Sequence, residues 1–272
     1  MTFYAEELGL LPSTHFGCRP GRTATDSLHY LVKWVRDSLR KGYVVSALFL
    51  DIQGAFPNTV IPRLVHNMRI RGVPEEYTNW LQRRVQGRRT TLCFDDFRSE
   101  SFEVSNGPDQ GCPSSGPFFL FYNADLIDIP TDRDEIASAF VDDTYLAARA
   151  TTIEESYNRI THMITRPKGA LEWSRTHYSK FELDKTGLMT FTHRRIPDPT
   201  RPGKTMSTPR PPIVIDSHSI KLSPSLKFLG IILDQELRFK AQADHAAAKG
   251  KFWITQTRRI AKSGKGIKGH LA

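Results

Sequence analysis

The chain is 272 residues long, 39% hydrophobic and 25% charged, enough to bury the core of one large domain or two modest ones. Its 38 Lys and Arg outweigh 29 Asp and Glu, and the resulting charge of +9 suits a phosphate-bearing partner without identifying one. Three scattered cysteines exclude a Cys-x-x-Cys zinc site and a disulfide framework, no apolar run reaches the ~20 residues that span a bilayer, and Glu6 and Glu7 stand where a signal peptide would be basic. An intracellular, reducing setting is the simplest expectation.

In chain order, the opening segment has helical and then loop character. From Ala24 to Lys41, Leu28, Leu31, Val35 and Leu39 recur at helical spacing, with Thr23 and Asp26 placed as a capping box. Gly42 ends that helix, and the apolar run from Tyr43 to Leu50 reads as a buried strand delivering Asp51. Helices are expected over Pro62 to Ile70 and Pro74 to Gln86, punctuated by Gly72 and Pro74. Residues 88–104 look like a β-hairpin turning near Asp95 and Asp96. After the loop NGPDQGCPSSG, residues Phe118 to Ile129 are apolar enough for a buried helix. Two apolar runs joined at Asp142 and Asp143 predict a hairpin with both acids at its tip. Ile153 to Trp173 is helical in pattern, and Phe181 to Phe191 returns to strand. The proline-rich, basic stretch 194–212 reads as a long surface connection. β character resumes up to Asp234, followed by a basic amphipathic tail carrying Lys249, Lys251, Arg258, Arg259, Lys262, Lys265 and Lys268.

Three acids carry the chemistry. Phosphoryl transfer to a hydroxyl needs an activated attacking oxygen and a neutralised leaving group, which two metal ions about 4 Å apart supply together. Carboxylates are the hard-oxygen ligands magnesium takes. A strand ending at Asp51 and a hairpin tipped by Asp142 and Asp143 bring the three together if the strands are neighbours in one sheet. An ordinary solvated turn is the alternative for any Asp-Asp pair. Asp95 and Asp96 fit it, because polar residues follow them, whereas apolar strands enclose Asp142 and Asp143 on both sides, where unpaired charges are costly.

These segments resemble, in order, the polymerase motifs of reverse transcriptases: FLDIQGAF motif A, DQGCPSSGPFFLFYNADL motif B, AFVDDTYLA motif C, FELDKTGLMTF motif D and LKFLGIILD motif E, with FGCRPGRTATDSL similar to a fingers segment. The resemblance runs from about Tyr4 onward and is closest to LINE-like, non-LTR retrotransposon enzymes of the fungal kind. It implies an α/β (α+β) right-hand polymerase. Partial fingers would occupy 1–45, the palm 46–234 with a fingers-type insertion at about 57–105 and the Pro-rich connection at 194–212, and the start of a thumb 235–272. It also implies RNA-directed DNA synthesis on an RNA template from a DNA primer with dNTPs, two Mg²⁺ ions (or Mn²⁺), no membrane, and a nuclear or cytoplasmic setting.

Carried over by position, Asp51, Asp142, Asp143 and the backbone carbonyl of Ile52 are the metal ligands. Phe56 is the steric gate against a ribose 2′-OH, and Gln110 and Gly111 contact the incoming nucleotide and template. Lys185 protonates the leaving pyrophosphate. Arg19 and Arg22 contact the triphosphate, and Lys227, Phe228, Leu229 and Gly230 support the primer. Core packing remains the alternative for Phe56 and the last four, and solvation for Lys185. Ser114 departs from the family's usual motif B leucine, no counterpart of the first fingers strand precedes Met1, and a full thumb, an endonuclease, an RNase H and a zinc knuckle are not recognisable. The rivals are an RNA-dependent RNA polymerase, which Phe56 opposes, and a catalytically impaired, maturase-like RNA-binding protein.

Overall fold

The computed structural model describes residues 2–109, 111–215, 218–220 and 222–261. In chain order the elements are α1 (Thr2–Glu7), α2 (Ala24–Arg40), β1 (Val44–Leu50), α3 (Ile61–Ile70) and α4 (Glu75–Val85). Four two-residue strands follow: β2 (Arg89–Thr90), β3 (Cys93–Phe94), β4 (Phe97–Arg98) and β5 (Phe102–Glu103). Next come α5 (Ser115–Ile127), β6 (Glu135–Phe140), β7 (Asp143–Ala150), α6 (Ile153–Thr165), α7 (Ala170–Thr176) and β8 (Gly187–Phe191). The remainder comprises β9 (Arg195–Pro197), β10 (Thr205–Ser207), β11 (Ile213–Ile215), β12 (His218–Ile220), β13 (Ser225–Phe228), β14 (Ile231–Asp234) and α8 (Lys240–Ala261).

The centre is an antiparallel sheet in the order β6-β7-β1-β8. Every residue of β1 is buried, which explains its unbroken apolar run: helices cover both faces, so neither set of alternating side chains meets water. Val45, Ala47 and Phe49 pack with Leu28, Leu31 and Val35 of α2. Leu48 and Leu50 face the other way, among residues of α3, α5, α6 and α7. Ser46 shares that second face and is satisfied there by Ser156 Oγ at 2.7 Å and Thr190 Oγ1 at 3.3 Å. The capping box of α2 is present: Thr23 Oγ1 accepts from Asp26 N at 3.2 Å while Asp26 Oδ2 accepts from Thr23 N at 2.7 Å.

Four expectations change. The helical pattern of Ile153 to Trp173 is broken into α6 and α7, because Pro167 cannot continue the hydrogen-bond ladder and Lys168 turns to φ 61° before Gly169 starts the next helix. The strand expected from Phe181 is confined to Gly187–Phe191, and residues Leu183–Lys185 form a 3-10 turn ahead of it. The stretch 194–212 is not a bare connection, since β9 and β10 pair within it and Asp198 Oδ1 accepts from Thr200 N at 2.9 Å to close their turn. The buried helix starts at Ser115 and stops at Ile127, earlier at both ends than its apolar run. Lys262, Lys265 and Lys268 lie outside the described residues.

Candidate active site

Register places the acids. Leu50 pairs with Thr144 and Phe140 with Asp143, so the chain leaves β1 at Asp51 beside the first residue of β7. Val141 and Asp142 alone link the Phe140–Asp143 pair. Val141 has φ 62° and Asp142 does not share that sign, the pattern of a two-residue hairpin turn whose first position is ordinarily glycine. A β-branched residue there carries strain on the order of 1–3 kcal/mol, so its surroundings must hold it.

The same sheet end receives Lys185. Glu182 N donates to Asp51 O and Gln53 N to Lys180 O, both at 2.9 Å, so residues 180–182 pair with the chain just past β1. In this antiparallel bridge Ile52 faces Phe181, and the hydrogen bonds belong to the residues on either side of it. Ile52's own peptide groups therefore point to the opposite edge, the one toward β7. The 3-10 turn then brings Lys185 Nζ to 3.0 Å from Asp51 Oδ2, and that partner raises the lysine above its ordinary value. Partial burial, and then the charges of Asp142 and Asp51, push the Asp143 carboxyl up to about 6. The residue remains open to water at the sheet end, which screens part of this effect.

Phe56 lies in the turn after Asp51, half-buried, its ring stacked on Phe119 of α5 at 5.0 Å. Gly111 has φ 82° with open space around it, so the backbone conformation is what calls for glycine there. Gln110 lies outside the described residues. Asp109, one residue earlier, accepts from Arg88 Nη1 at 2.6 Å and pairs with Arg84 at 2.9 Å, and those guanidiniums hold its carboxyl below the usual range. Arg88 also donates to the carbonyls of Asn106 and Gly107, both at 2.8 Å, and so fastens the loop before α5. Sequence reasoning passed over this clamp, although an Asp in the motif B loop just downstream of an Arg-rich helix end was its signal.

Other expected contacts sit elsewhere. The Arg19 guanidinium is committed to Glu6, at 2.6 and 2.7 Å, and to the carbonyls of Pro12 and His15; with its side chain buried it braces the N-terminal segment rather than facing a triphosphate. Arg22 donates to Ser13 O and lies over the Phe16 ring, in the same segment. Leu229 (φ 47°) and Gly230 (φ 81°) form the two-residue turn between β13 and β14. Lys227 is exposed, whereas the Phe228 ring is buried against Phe49 at 5.0 Å and Tyr145 at 5.7 Å, so it anchors this hairpin to the sheet instead of meeting a strand of nucleic acid.

Also unforeseen is Asn123, fully buried on α5, whose Nδ2 donates to Val141 O at 2.6 Å while its Oδ1 accepts from His15 Nε2 at 2.9 Å. A lone amide inside the run FFLFYNADL was the available signal.

Comparison with known proteins agrees with this layout. Solved telomerase structures from Candida tropicalis superpose with TM-scores of 0.56 and 0.58 at 11% and 10% identity, covering 84% and 88% of this chain and 40% and 36% of theirs. The fold is that of a reverse-transcriptase palm. At the sequence level this palm is similar to a probable RNA-directed DNA polymerase from the Drosophila melanogaster transposon X-element, 23% identical over 93% of the chain and 27% of that protein. A second relative is the RNA-directed DNA polymerase from mobile element jockey of Drosophila funebris, 22% identical over 85% of the chain and 24% of that protein. The chain thus spans about a quarter of the length of the curated relatives it matches. No protein-family model matches it. Among the described residues, no helix is long and apolar enough to cross a membrane.

Proposed function

We propose that this chain is the catalytic core of an RNA-directed DNA polymerase that extends a DNA primer 3′-OH with dNTPs on an RNA template. The observation that carries the reading is the register that puts Asp51 beside Asp143, with Asp142 in the adjoining turn. The narrower likeness to fungal elements rests on the motif resemblance alone. In the same reading the sheet and its helices are the palm, residues 1–45 partial fingers, 57–105 a fingers-type insertion and 235–272 the start of a thumb.

Two Mg²⁺ ions, or Mn²⁺, fit these residues in kind: hard carboxylate oxygens on adjoining strand ends, one of them pushed up by burial and by its anionic neighbours. Among the described residues, no three His, Cys, Asp or Glu side chains form a closed cage. Magnesium needs none, because it keeps waters and takes substrate phosphates beside one or two carboxylates. Asp51, Asp142, Asp143 and the Ile52 carbonyl would hold the ions, which when bound supply activation of the primer hydroxyl and neutralisation of the pyrophosphate. Lys185, an ammonium at this sheet end, would release Asp51 and give a proton to the departing pyrophosphate. Phe56, its ring fixed by Phe119, would exclude a ribose 2′-OH. Gln110 and Gly111 would meet the incoming nucleotide, and exposed Lys227 at the β13–β14 hairpin the primer backbone.

Primer extension on matched RNA and DNA templates, with dNTPs or rNTPs, tests this. RNA-templated DNA synthesis that disappears in Asp142→Asn is expected, and synthesis surviving that substitution would sink the metal assignment. Phe56→Ala should relax rejection of rNTPs by about 10–10²-fold; unchanged sugar selectivity would remove the gate. A folded wild-type chain that binds RNA but copies nothing would favour the impaired, RNA-binding reading.

A further inference from the structure

The turn that presents Asp142 is built on a residue poorly suited to it. Val141 takes a positive φ that glycine would adopt freely, so the native turn depends on what grips it. We infer that Asn123, oriented by His15, is the positioning residue that holds the Val141–Asp142 peptide and thereby aims the aspartates; the inference rests on the polymerase reading and deepens it.

The grip is specific. The carbonyl of Val141 belongs to the same rigid peptide plane as the Asp142 N–H, so the 2.6 Å bond from Asn123 Nδ2 fixes the direction in which the chain enters Asp142. Asn123 can offer that N–H in one orientation only, because its Oδ1 is engaged at 2.9 Å by His15. His15 is fully buried, and burial keeps its imidazole neutral, pushed down to about 4. A neutral ring has one N–H, and the bond to Oδ1 puts it on Nε2. Among the described residues Nδ1 is buried without a hydrogen-bond partner, and Asn123 is the ring's side-chain partner.

His15 is itself held. Phe16 N donates to Ala139 O at 2.8 Å, and Arg19 Nη1 reaches His15 O at 3.1 Å while gripping Glu6. Gly17 lies so close that a Cβ there would stand 2.5 Å from Val141 Cγ2 and N. A line of contacts therefore runs from α1 through Arg19, His15 and Asn123 to the turn. The geometry it enforces is that of the acids rather than of the general core, since Asn123 Nδ2 donates to the carbonyl adjoining Asp142.

Four variants test this. Asn123→Asp keeps the shape and an acceptor for His15 but removes the donor to Val141; Asn123→Ala removes both; His15→Gln keeps an N–H donor and His15→Ala does not. With a wild-type-like circular dichroism spectrum, Asn123→Asp should lower kcat of primer extension by about 10²-fold while KM for dNTP changes less than about 3-fold. His15→Gln should retain more activity than His15→Ala. Independently of activity, hydrogen–deuterium exchange should accelerate in the peptide spanning residues 136–146 and nowhere else. In a Val141→Gly background, where glycine takes the positive φ unaided, the Asn123 substitution should lose most of its effect on that exchange. Exchange of this peptide at the wild-type rate in Asn123→Asp, or an equal effect in both backgrounds, overturns the inference. If Asn123→Ala fails to fold, Asn123→Asp and the His15 pair decide. Should the Asn123 variants loosen the turn while the wild-type chain extends no primer, the polymerase reading fails and the brace on the turn stands.

Discussion

The chain contains two Asp-Asp pairs, each at a two-residue hairpin turn. Asp95 and Asp96 link β3 to β4 through the Phe94–Phe97 pair, and Val141 with Asp142 links β6 to β7 through the Phe140–Asp143 pair. Both turns open on a residue with positive φ, Asp95 at 49° and Val141 at 62°. Their settings differ. β3 and β4 are exposed two-residue strands whose Phe94 and Phe97 rings stack on each other, at 4.8 Å. β7 is an interior strand of the central sheet, bordered by β1, which ends in a third acid, and the turn before it is tied to a buried helix. Aspartate suits turns for local reasons in both places. What sets the second turn apart is the neighbouring strand end, which brings a third carboxylate to it, with Lys185 paired to that third acid.

The sharpest way to break this contrast is substitution at each turn. Asp142→Asn should reduce DNA synthesis by about 10³-fold or more, measured as single-turnover primer extension. Lys185→Ala comes next: loss of the proposed proton donor should lower kcat by about 10²-fold with a smaller change in primer binding, and an unaltered kcat would return the lysine to a purely electrostatic partner of Asp51. Acid should also separate the regions, because the helix behind the Val141–Asp142 turn packs on two histidines that burial holds near 4, His15 and His177. Their unfolded value is higher, about 6.5, so the unfolded chain binds more protons between the two values and stability falls as pH drops through that window. Urea unfolding at pH 7.5 and pH 5 should differ by about 2 kcal/mol for each histidine, and His15→Gln should remove one share. Smallest of all, Asp95→Asn with Asp96→Asn should shift stability by no more than about 0.5 kcal/mol and leave the extension rate within a factor of about two. A large loss there would mean that the exposed hairpin touches the nucleic acid.

How far the sequence could be read follows from the range of the forces involved. The run ending at Asp51 and the paired runs around Asp142 and Asp143 announce buried strands because their burial is continuous and local in pattern. Thr23 and Asp26 announce a helix start for the same reason: cap and partner are three residues apart. The carboxylate partner of Arg19 is 13 residues away and the partners of Asn123 are 18 and 108 residues away, so no periodicity could have found them, and a triphosphate was the natural guess for an arginine whose carboxylate was out of view. Motif resemblance marked Phe228 by position, but its aromatic contacts to Phe49 and Tyr145 depend on how the β13–β14 hairpin folds back under the sheet. The 3-10 turn that delivers Lys185 was hidden because its residues satisfy a strand pattern equally well.

The pairing of the N-terminal segment with β6, where His15 bridges Ala139, bears on solubility as well as on chemistry. β6 borders the central sheet, and an open border offers unpaired N–H and C=O groups to any other strand it meets. Thr14 and Phe16 occupy those groups at Ala139, one accepting and one donating. The N-terminal segment thus also guards this edge at Ala139: a strand of another chain pairing there would have to displace residues 14–16.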